Sequence, residues 1–289
     1  METNESSKGD RISGLFEIAR VPNCFMMGLA VLVGEFMTLG LAIPISSAVI
    51  GFLAGFTLVA GSMSVNDILD TEIDQINMPS RPIPSGRLTK TEAAAFAAVT
   101  LSIGLCLAMA LSAVNLLIAI LAVVLMLYYN RFGKKTGLPG NAAVSANLAI
   151  PFIFGGAIGG ITVILYIFAL IAFLAGMGRE VIKGMADIVG DSKRGVRTLA
   201  VSKGLGTASR TGALFFVMAV LLSAIPIILQ MISWLYAPIV LVCDLGFLYS
   251  AYSIVKDPSP KNALRSKNHA LLWMLLGLIA FIAGGFTPA

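Results

Sequence analysis

The feature that most constrains this chain is an unbroken succession of apolar runs, each about 18 to 23 residues long, with no polar stretch between them long enough to build a soluble core. A helix rises about 1.5 Å per residue, so a run of that length crosses a hydrocarbon layer roughly 30 Å thick. A composition of 57% hydrophobic and 12% charged residues, with a mean hydropathy of +0.91, departs from globular averages in the same direction. The apolar windows predict nine spans, at about residues 22–40, 44–66, 91–112, 114–131, 142–160, 162–182, 210–231, 234–255 and 270–286. The expected fold class is all-α and integral to the membrane, with one domain over residues 1–289. Residues 1–21 carry Glu2, Glu5 and Asp10 and lack the apolar stretch and small-residue cleavage site of a secretory signal, so they read as a retained cytosolic tail.

The basic residues settle the expected orientation. Lys8, Arg11 and Arg20 precede the first span, Arg81, Arg87 and Lys90 follow the second, and Arg131, Lys134 and Lys135 follow the fourth. Arg179, Lys183, Lys193, Arg194, Arg197, Lys203 and Arg210 flank or follow the sixth, and Lys256, Lys261, Arg265 and Lys267 follow the eighth. These account for all 20 Lys and Arg residues, every one on a single face, which the positive-inside rule makes cytosolic. The net charge of +5 and pI near 9.2 therefore describe topology in a cell membrane and call for no nucleic acid partner.

Cys24, Cys106 and Cys243 fall far apart inside spans, and His269 is the single histidine. That usage argues against a Cys-x-x-Cys zinc site, a haem ligand pair or a Ser-His-Asp hydrolase, and leaves the cysteines as small packing residues. Glu35, near the outer end of the first span, is expected to reach the interface. Asp244 lies nearer the middle of the eighth, where a charged group is expensive and faces a cavity.

Chemistry is concentrated in two acidic clusters, each closing an apolar run: Asn66-Asp67-x-x-Asp70-x-x-x-Asp74, and Asp187-x-x-x-Asp191 preceded by Arg179, Glu180 and Lys183. On a helix Asn66, Asp70 and Asp74 form one stripe at i, i+4 and i+8, and Lys183, Asp187 and Asp191 repeat the spacing. Both stripes sit at helix C-termini, where the dipole disfavours a carboxylate by up to about 1 kcal/mol and like charges one turn apart add to the cost. Either these acids are solvated loop residues, or they bind a cation that offsets the repulsion. An oxygen-only donor set without Cys or His suits a hard ion such as Mg2+, completed by waters and substrate phosphates.

A basic segment lies beside each acidic one: Arg81-Pro-Ile-Pro-Ser-Gly-Arg87 after the first, Lys193-Arg194-Gly-Val-Arg197-Thr198 after the second. Another, Tyr128-Tyr129-Asn130-Arg131-x-x-Lys134-Lys135, closes the fourth span. Positive-inside anchoring explains such residues individually; interleaved with metal-holding acids, they form a diphosphate clamp. The acid-then-base order of both halves hints at duplication of a four-helix unit.

These motifs resemble those of the UbiA-type intramembrane prenyltransferases. The two aspartate-rich segments, the phrase Arg81-Pro-Ile-Pro-Ser-Gly and Arg20-x-x-Asn23 at the start of the first span all carry the likeness, over essentially the full length. Within the family, Gly140-Asn141-Ala-Ala-Val-Ser-Ala-Asn147 and Arg179-Glu180-x-x-Lys183-x-x-x-Asp187 read most like the archaeal branch, which makes digeranylgeranylglyceryl phosphate. The resemblance implies nine helices in a ring around a cavity open to lipid. It implies geranylgeranyl diphosphate as the prenyl diphosphate donor, the lipid-like geranylgeranylglyceryl phosphate as acceptor, and Mg2+ as cofactor. By carry-over, Asn66, Asp70, Asp187 and Asp191 form the metal set, with Asp67 and Asp74 behind them. Asn23, Arg81, Lys134, Lys183 and Arg197 would hold diphosphate or acceptor phosphate.

The implied mechanism stabilises the leaving diphosphate with Mg2+ and basic groups, so that an allylic cation or a loose transition state near one is attacked by the glycerol hydroxyl. Asp70 and Asp187 carry the catalytic load, and Asp67 is the candidate general base. Tyr128 and Tyr129 are candidates to face the carbocation, although interfacial anchoring accounts for them equally. Asp244 is a candidate for the pocket lining. The rivals are an aromatic prenyltransferase of the same family and, in another class, a transporter or cation channel. A CDP-alcohol phosphotransferase lacks its Asp-Gly-x-x-Ala-Arg signature here. The oligomeric state is left open.

Overall fold

The computed structural model describes residues 2–193 and 195–286, and the side chains of residues 2–8, 73 and 77 fall outside that description. Among the described residues the chain is helical throughout, without strands. The helices are α1 (Glu2–Ala19), α2 (Val21–Leu39), α3 (Ile45–Leu69), α4 (Thr71–Asn77), α5 (Lys90–Leu111), α6 (Ala113–Arg131) and α7 (Leu138–Gly159). They continue with α8 (Val163–Ala186), α9 (Ile188–Lys193), α10 (Leu199–Lys203), α11 (Leu205–Ser223), α12 (Ile225–Ile228), α13 (Tyr236–Lys256) and α14 (Pro260–Gly284). Nine candidate membrane spans are present among them, one for each apolar run expected from the sequence.

The ends differ where polar residues continue a helix beyond the apolar stretch. The last span starts at Pro260, not near residue 270, because Ser259 caps its first turn by accepting from the Asn262 N–H and Pro260 takes the first helical position. The expected cytosolic tail is a helix, α1, tied by the ion pairs Arg11–Glu92 at 3.3 Å and Arg87–Glu17 at 2.7 Å. Glu35, expected to reach the interface, is instead fully buried at 0% exposure. It shares a buried face of α2 with Val31, one turn back.

The chain divides into two compact units. The first runs from the amino terminus to Leu32 and from Pro44 to Val123; the second holds Val33–Ile43 and everything from Val124 onward. Both boundaries in α2 and α6 fall inside continuous helices.

In the first unit α3 packs along α5. The approach depends on small residues: a Cβ on Gly61 would lie 2.6 Å from the Leu101 side chain, and one on Gly104 would lie 2.6 Å from Leu58. Membrane helices associate through such van der Waals contact, since burial from lipid supplies no hydrophobic drive. Ile18, Leu88 and Ala93 form one small buried cluster, and Ala19, Cys24 and Ala60 another, so the end of α1 is locked to α3 and to the start of α5.

The second unit is organised around α8, which contacts α7, α11 and α14. Its span is 56% buried, against 17 to 39% for the others, so it is the element least able to carry unpaired charge. Leu174, Ile182, Met185, Phe216 and Phe247 build the main core. Near the other end, the Phe168 ring stacks on Phe281 at 3.7 Å, and Tyr236 flanks the same ring. The outer faces are apolar, with Leu221, Leu241 and Tyr166 more than half exposed, as a lipid-facing surface requires. Cys24 and Cys243 are buried as expected, their thiols donating to the Ala19 and Trp273 carbonyls, whereas Cys106 is exposed.

Within this unit the segment around Gly34 lies against α7 so closely that a Cβ there would strike the Phe152 carbonyl and the Gly156 nitrogen. We expect Gly34→Val to destabilise the protein by about 1–3 kcal/mol through overpacking. Gly9→Ala, which meets nothing within 4 Å, should leave stability unchanged or slightly raised. Thermal melts of both variants in detergent check the contrast.

Candidate active site

The first acidic cluster sits where α3 ends. Asn66 and Asp67 belong to its last turn, Asp70 is the C-cap at φ −90° and ψ 2°, and Asp74 lies in the first turn of α4. The stripe expected on one helix thus bends at its central acid. The Asp70 N–H still donates to the Asn66 carbonyl at 3.0 Å and the Asp74 N–H to the Asp70 carbonyl at 2.8 Å, so the one-turn spacing survives the bend. Asn66 Nδ2 donates to Asp70 Oδ2 at 3.1 Å and to Asp67 Oδ1 at 3.4 Å.

Asp67, 5% exposed, is the centre of this half. Its Oδ1 accepts from Arg20 Nη2 at 2.7 Å and lies 3.5 Å from Arg81 Nη1. The same Arg81 nitrogen reaches Asp74 Oδ2 at 2.6 Å. Burial pushes the Asp74 carboxyl above the ordinary carboxylate range, and the Arg81 guanidinium pulls against that shift. Arg20 itself joins α1 to α2 in the left-handed region, at φ 52°, a conformation that costs a non-glycine residue of order 1 kcal/mol or more. Asn23 is exposed, and its backbone N–H donates to the Arg20 carbonyl at 2.8 Å.

The second cluster repeats the local design. Asp187 caps the C-terminus of α8 at φ −97° and ψ 8°, and Asp191 lies in the first turn of α9. Backbone bonds from Asp187 N–H to Lys183 carbonyl, 3.0 Å, and from Asp191 N–H to Asp187 carbonyl, 2.9 Å, again carry the stripe through the bend. The helix therefore breaks at Asp187, three residues ahead of Gly190. In both clusters the break leaves the last acid at a helix N-terminus, the end where a carboxylate is favoured.

Glu180 is the counterpart of Asp67. Its side chain is 5% exposed, Oε1 accepts from Arg179 Nη1 at 2.8 Å and Oε2 from Lys183 Nζ at 3.0 Å. Lys267, on α14, is within electrostatic reach of the same carboxylate, and Tyr129 is within reach of Lys183. The basic loops of this unit meet. The Arg197 N–H donates to the Lys135 carbonyl at 3.4 Å, so Lys134 and Arg197 stand on joined loops. Gly137, at φ 68°, allows the approach, since its Cα lies against the Arg197 carbonyl. Arg194 lies outside the described residues.

Of the expected site residues, the first unit therefore gathers Asn66, Asp67, Asp70, Asp74 and Arg81, and the second brings Lys183 to Glu180 and joins the loops of Lys134 and Arg197. Tyr128 is 48% exposed and packs on Phe132, which fits interfacial anchoring; Tyr129, about 100° round the helix, is the one directed to charge. Asp244 stands apart. Its Oδ2 accepts from the Ser223 hydroxyl at 2.7 Å, at the far end of α11 from the loop that follows α9, about 27 Å away along that helix. Sequence reading overlooked the anchoring roles of Arg20 and Glu180; for Glu180 the available signal was a single acid within one turn of two bases, whereas Arg20 meets Asp67 only through the fold. Asn130 Oδ1 and Arg179 Nε, both buried, have no hydrogen-bond partner among the described residues, which leaves them ready for water or ligand.

Among the described residues no three Asp, Glu, His or Cys side chains are gathered as a cation cage. The oxygen-only side chains of Asn66, Asp70, Asp187 and Asp191 suit a hard ion such as Mg2+, which retains waters and binds through one or two carboxylates plus substrate phosphates. Asp70 with the Asn66 amide, and Asp187 with Asp191, would be the protein's share.

The UbiA prenyltransferase family model matches residues 27–284, and the chain belongs to that family: it is a multi-pass membrane prenyltransferase. Among its relatives, the digeranylgeranylglyceryl phosphate synthase of Methanopyrus kandleri is 33% identical over 267 residues, 92% of this chain and 97% of the relative. The synthase of Thermococcus sibiricus is 34% identical over 272 residues, 94% and 96% of the two chains. A solved structure of digeranylgeranylglyceryl phosphate synthase, 31% identical, superposes with a TM-score of 0.79 over 95% of this chain and 98% of the other. A UbiA homologue from Archaeoglobus fulgidus, solved with GPP and Mg2+, shares the fold at 18% identity, with a TM-score of 0.68 over 93% and 99% of the chains.

Asp67→Ala leaves Arg20 and Arg81 without their common carboxylate, and Glu180→Ala does the same to Arg179 and Lys183. The cations left behind keep 20% to 40% of their side chains exposed, so the loss is about 1–3 kcal/mol. Each variant should melt several degrees lower in detergent than wild type, whereas Glu72→Ala, on an exposed position of α4, should not.

Proposed function

We propose that this chain transfers a geranylgeranyl group from geranylgeranyl diphosphate to the free hydroxyl of geranylgeranylglyceryl phosphate. The product is digeranylgeranylglyceryl phosphate, for archaeal membrane ether lipids. The observation that carries the reading is the likeness, at about a third identity and over more than nine-tenths of the chain, to synthases of that name. The placement of all 20 basic residues in the tail and even-numbered connections supports a site facing the cytosol.

Each residue group then has a task. Arg81, Lys134, Lys183 and Arg197 hold the diphosphate and the acceptor phosphate; Asn66 and Asp70, with Asp187 and Asp191, hold Mg2+. When bound, Mg2+ supplies neutralisation of the charge that builds on the leaving group. Asp67 and Glu180 keep the bases fixed before substrate arrives, so little reorganisation is needed as charge develops.

The allylic C–O bond breaks with its electron pair leaving on diphosphate. The glycerol oxygen bonds to the same carbon, and its proton passes to the released diphosphate. Because Asp67 Oδ1 is committed to two guanidinium groups, we assign Asp67 to positioning rather than to proton abstraction. Tyr129 is the ring we assign to the carbocation face, and the apolar spans exclude water that would compete with the hydroxyl.

The test is product formation by purified protein in lipid with Mg2+ or EDTA, given labelled geranylgeranyl diphosphate and either geranylgeranylglyceryl phosphate or 4-hydroxybenzoate. We expect a Mg2+-dependent diether phosphate, reduced by about a hundredfold or more in Asp70→Asn and in Asp187→Asn. A prenylated aromatic product would overturn the acceptor, and Asp67→Asn with a lost rate but normal diphosphate binding would return Asp67 to the role of base.

A further inference from the structure

At the end of the last two spans, a cleft of about 140 Å³ opens between α13 and α14. Its lining is polar for a surface made by two membrane helices: Tyr249, Ser253, Asn262, Arg265, Ser266 and His269 all contribute. Arg265 and His269 stand one turn apart on one face of α14. Lys267 points to the opposite side, toward Glu180, so the cleft does not share the bases of the catalytic clusters.

The cleft is built to receive an anion. No carboxylate lines it, and the nearby Asp257 uses Oδ1 to accept from the Ser259 N–H at 3.1 Å. Among the described residues neither Arg265 nor His269 has an ion-pair partner. The neutral polar groups are fixed in advance. Asn262 Nδ2 donates to the Ser253 carbonyl at 3.0 Å and the Asp257 carbonyl at 2.8 Å. Ser266 is 3% exposed, and Ser250 accepts from Trp273 Nε1 at 3.2 Å on the cleft wall.

Its depth identifies the source of that anion. The cleft lies at the ends of two spans where Tyr249 and Tyr252 are 62% and 63% exposed and Lys256 sits 5.6 Å above the Tyr252 ring. Aromatic rings and a lysine in that position mark the headgroup level of a bilayer. Leu264 and Leu272, 48% and 49% exposed on the same helix, offer an apolar surface for acyl chains. A polar cleft facing hydrocarbon is costly unless water or a headgroup fills it. We propose that the cleft binds the phosphate of an anionic lipid headgroup from the surrounding bilayer, with the Arg265 guanidinium as its cationic donor and the His269 ring one turn along beside it, while Asn262 and Ser253, bonded to each other, shape the wall.

Trp273 reports on the site directly. In a Trp234→Phe background it is the single tryptophan, and its quenching can be followed in vesicles containing brominated phosphatidylglycerol or brominated phosphatidylcholine. We expect phosphatidylglycerol to compete for the site about fivefold better than phosphatidylcholine, in line with one favourable cationic contact. Arg265→Gln combined with His269→Gln should bring that ratio to near one, while Tm and prenyl transfer in phosphatidylcholine stay at their wild-type values; Arg265→Gln alone gives the same reading if the pair fails to fold. Equal quenching by the two lipids overturns the proposal, as does a preference that survives both substitutions. Inorganic phosphate that shifts Trp273 emission in detergent with the same residue dependence, beside equal quenching by both lipids, overturns the lipid source in favour of a soluble phosphate.

Discussion

A carboxylate withdrawn from water and held between two cations recurs in each unit of this protein, and the orientation of the bases at the span ends depends on it. Asp67 holds Arg20 and Arg81; Glu180 holds Arg179 and Lys183. Neither acid is exposed enough to act as a surface ion pair, so removing one partner leaves charge stranded in an apolar setting. The same arrangement fixes the bases while leaving Arg81 and Lys183 partly exposed, at 27% and 40%. These partly exposed guanidinium and ammonium groups are already oriented.

Local structure repeats along with charge. In each unit a long span ends on a capping aspartate, Asp70 or Asp187, and a short helix begins immediately with another acid in its first turn. The bend relieves the placement of three acids in the first unit and two in the second at the negative end of one dipole, yet the retained backbone bonds keep their spacing. Two clusters of this design each offer one or two carboxylates, which is the provision Mg2+ needs when a substrate contributes phosphate oxygens.

Much of this was legible in the sequence, for stated reasons. Span number follows from the length of apolar runs, and the two acidic clusters stand out against a chain with 12% charged residues. What was not legible involved competition between local and tertiary terms. The break at Asp70 rather than after Asp74 leaves the helical spacing intact, so no periodicity announces it. The start of α14 at Pro260 was masked by Lys261, Arg265 and Lys267, which lengthen a helix without lengthening its apolar run. Glu35 reads as a residue near an outer edge, and only the packing of α2 puts it at 0% exposure. Glu180 resembles one more charge in a crowded segment until its neighbours on α8 are seen to close around it.

Arg20 ends α1, starts α2 and supplies one of the two cations on Asp67, all in a left-handed backbone conformation. Mechanical continuity follows from that triple duty. A load applied to α1, whether by a fused domain, an affinity label or a binding partner, is shared by its ion pairs and buried clusters, and part of it passes through Arg20 to the carboxylate that orients Arg81. Among the described residues the carboxyl end of α14 has no comparable tie to the acidic cluster of its own unit, and is the safer end at which to attach anything to this enzyme.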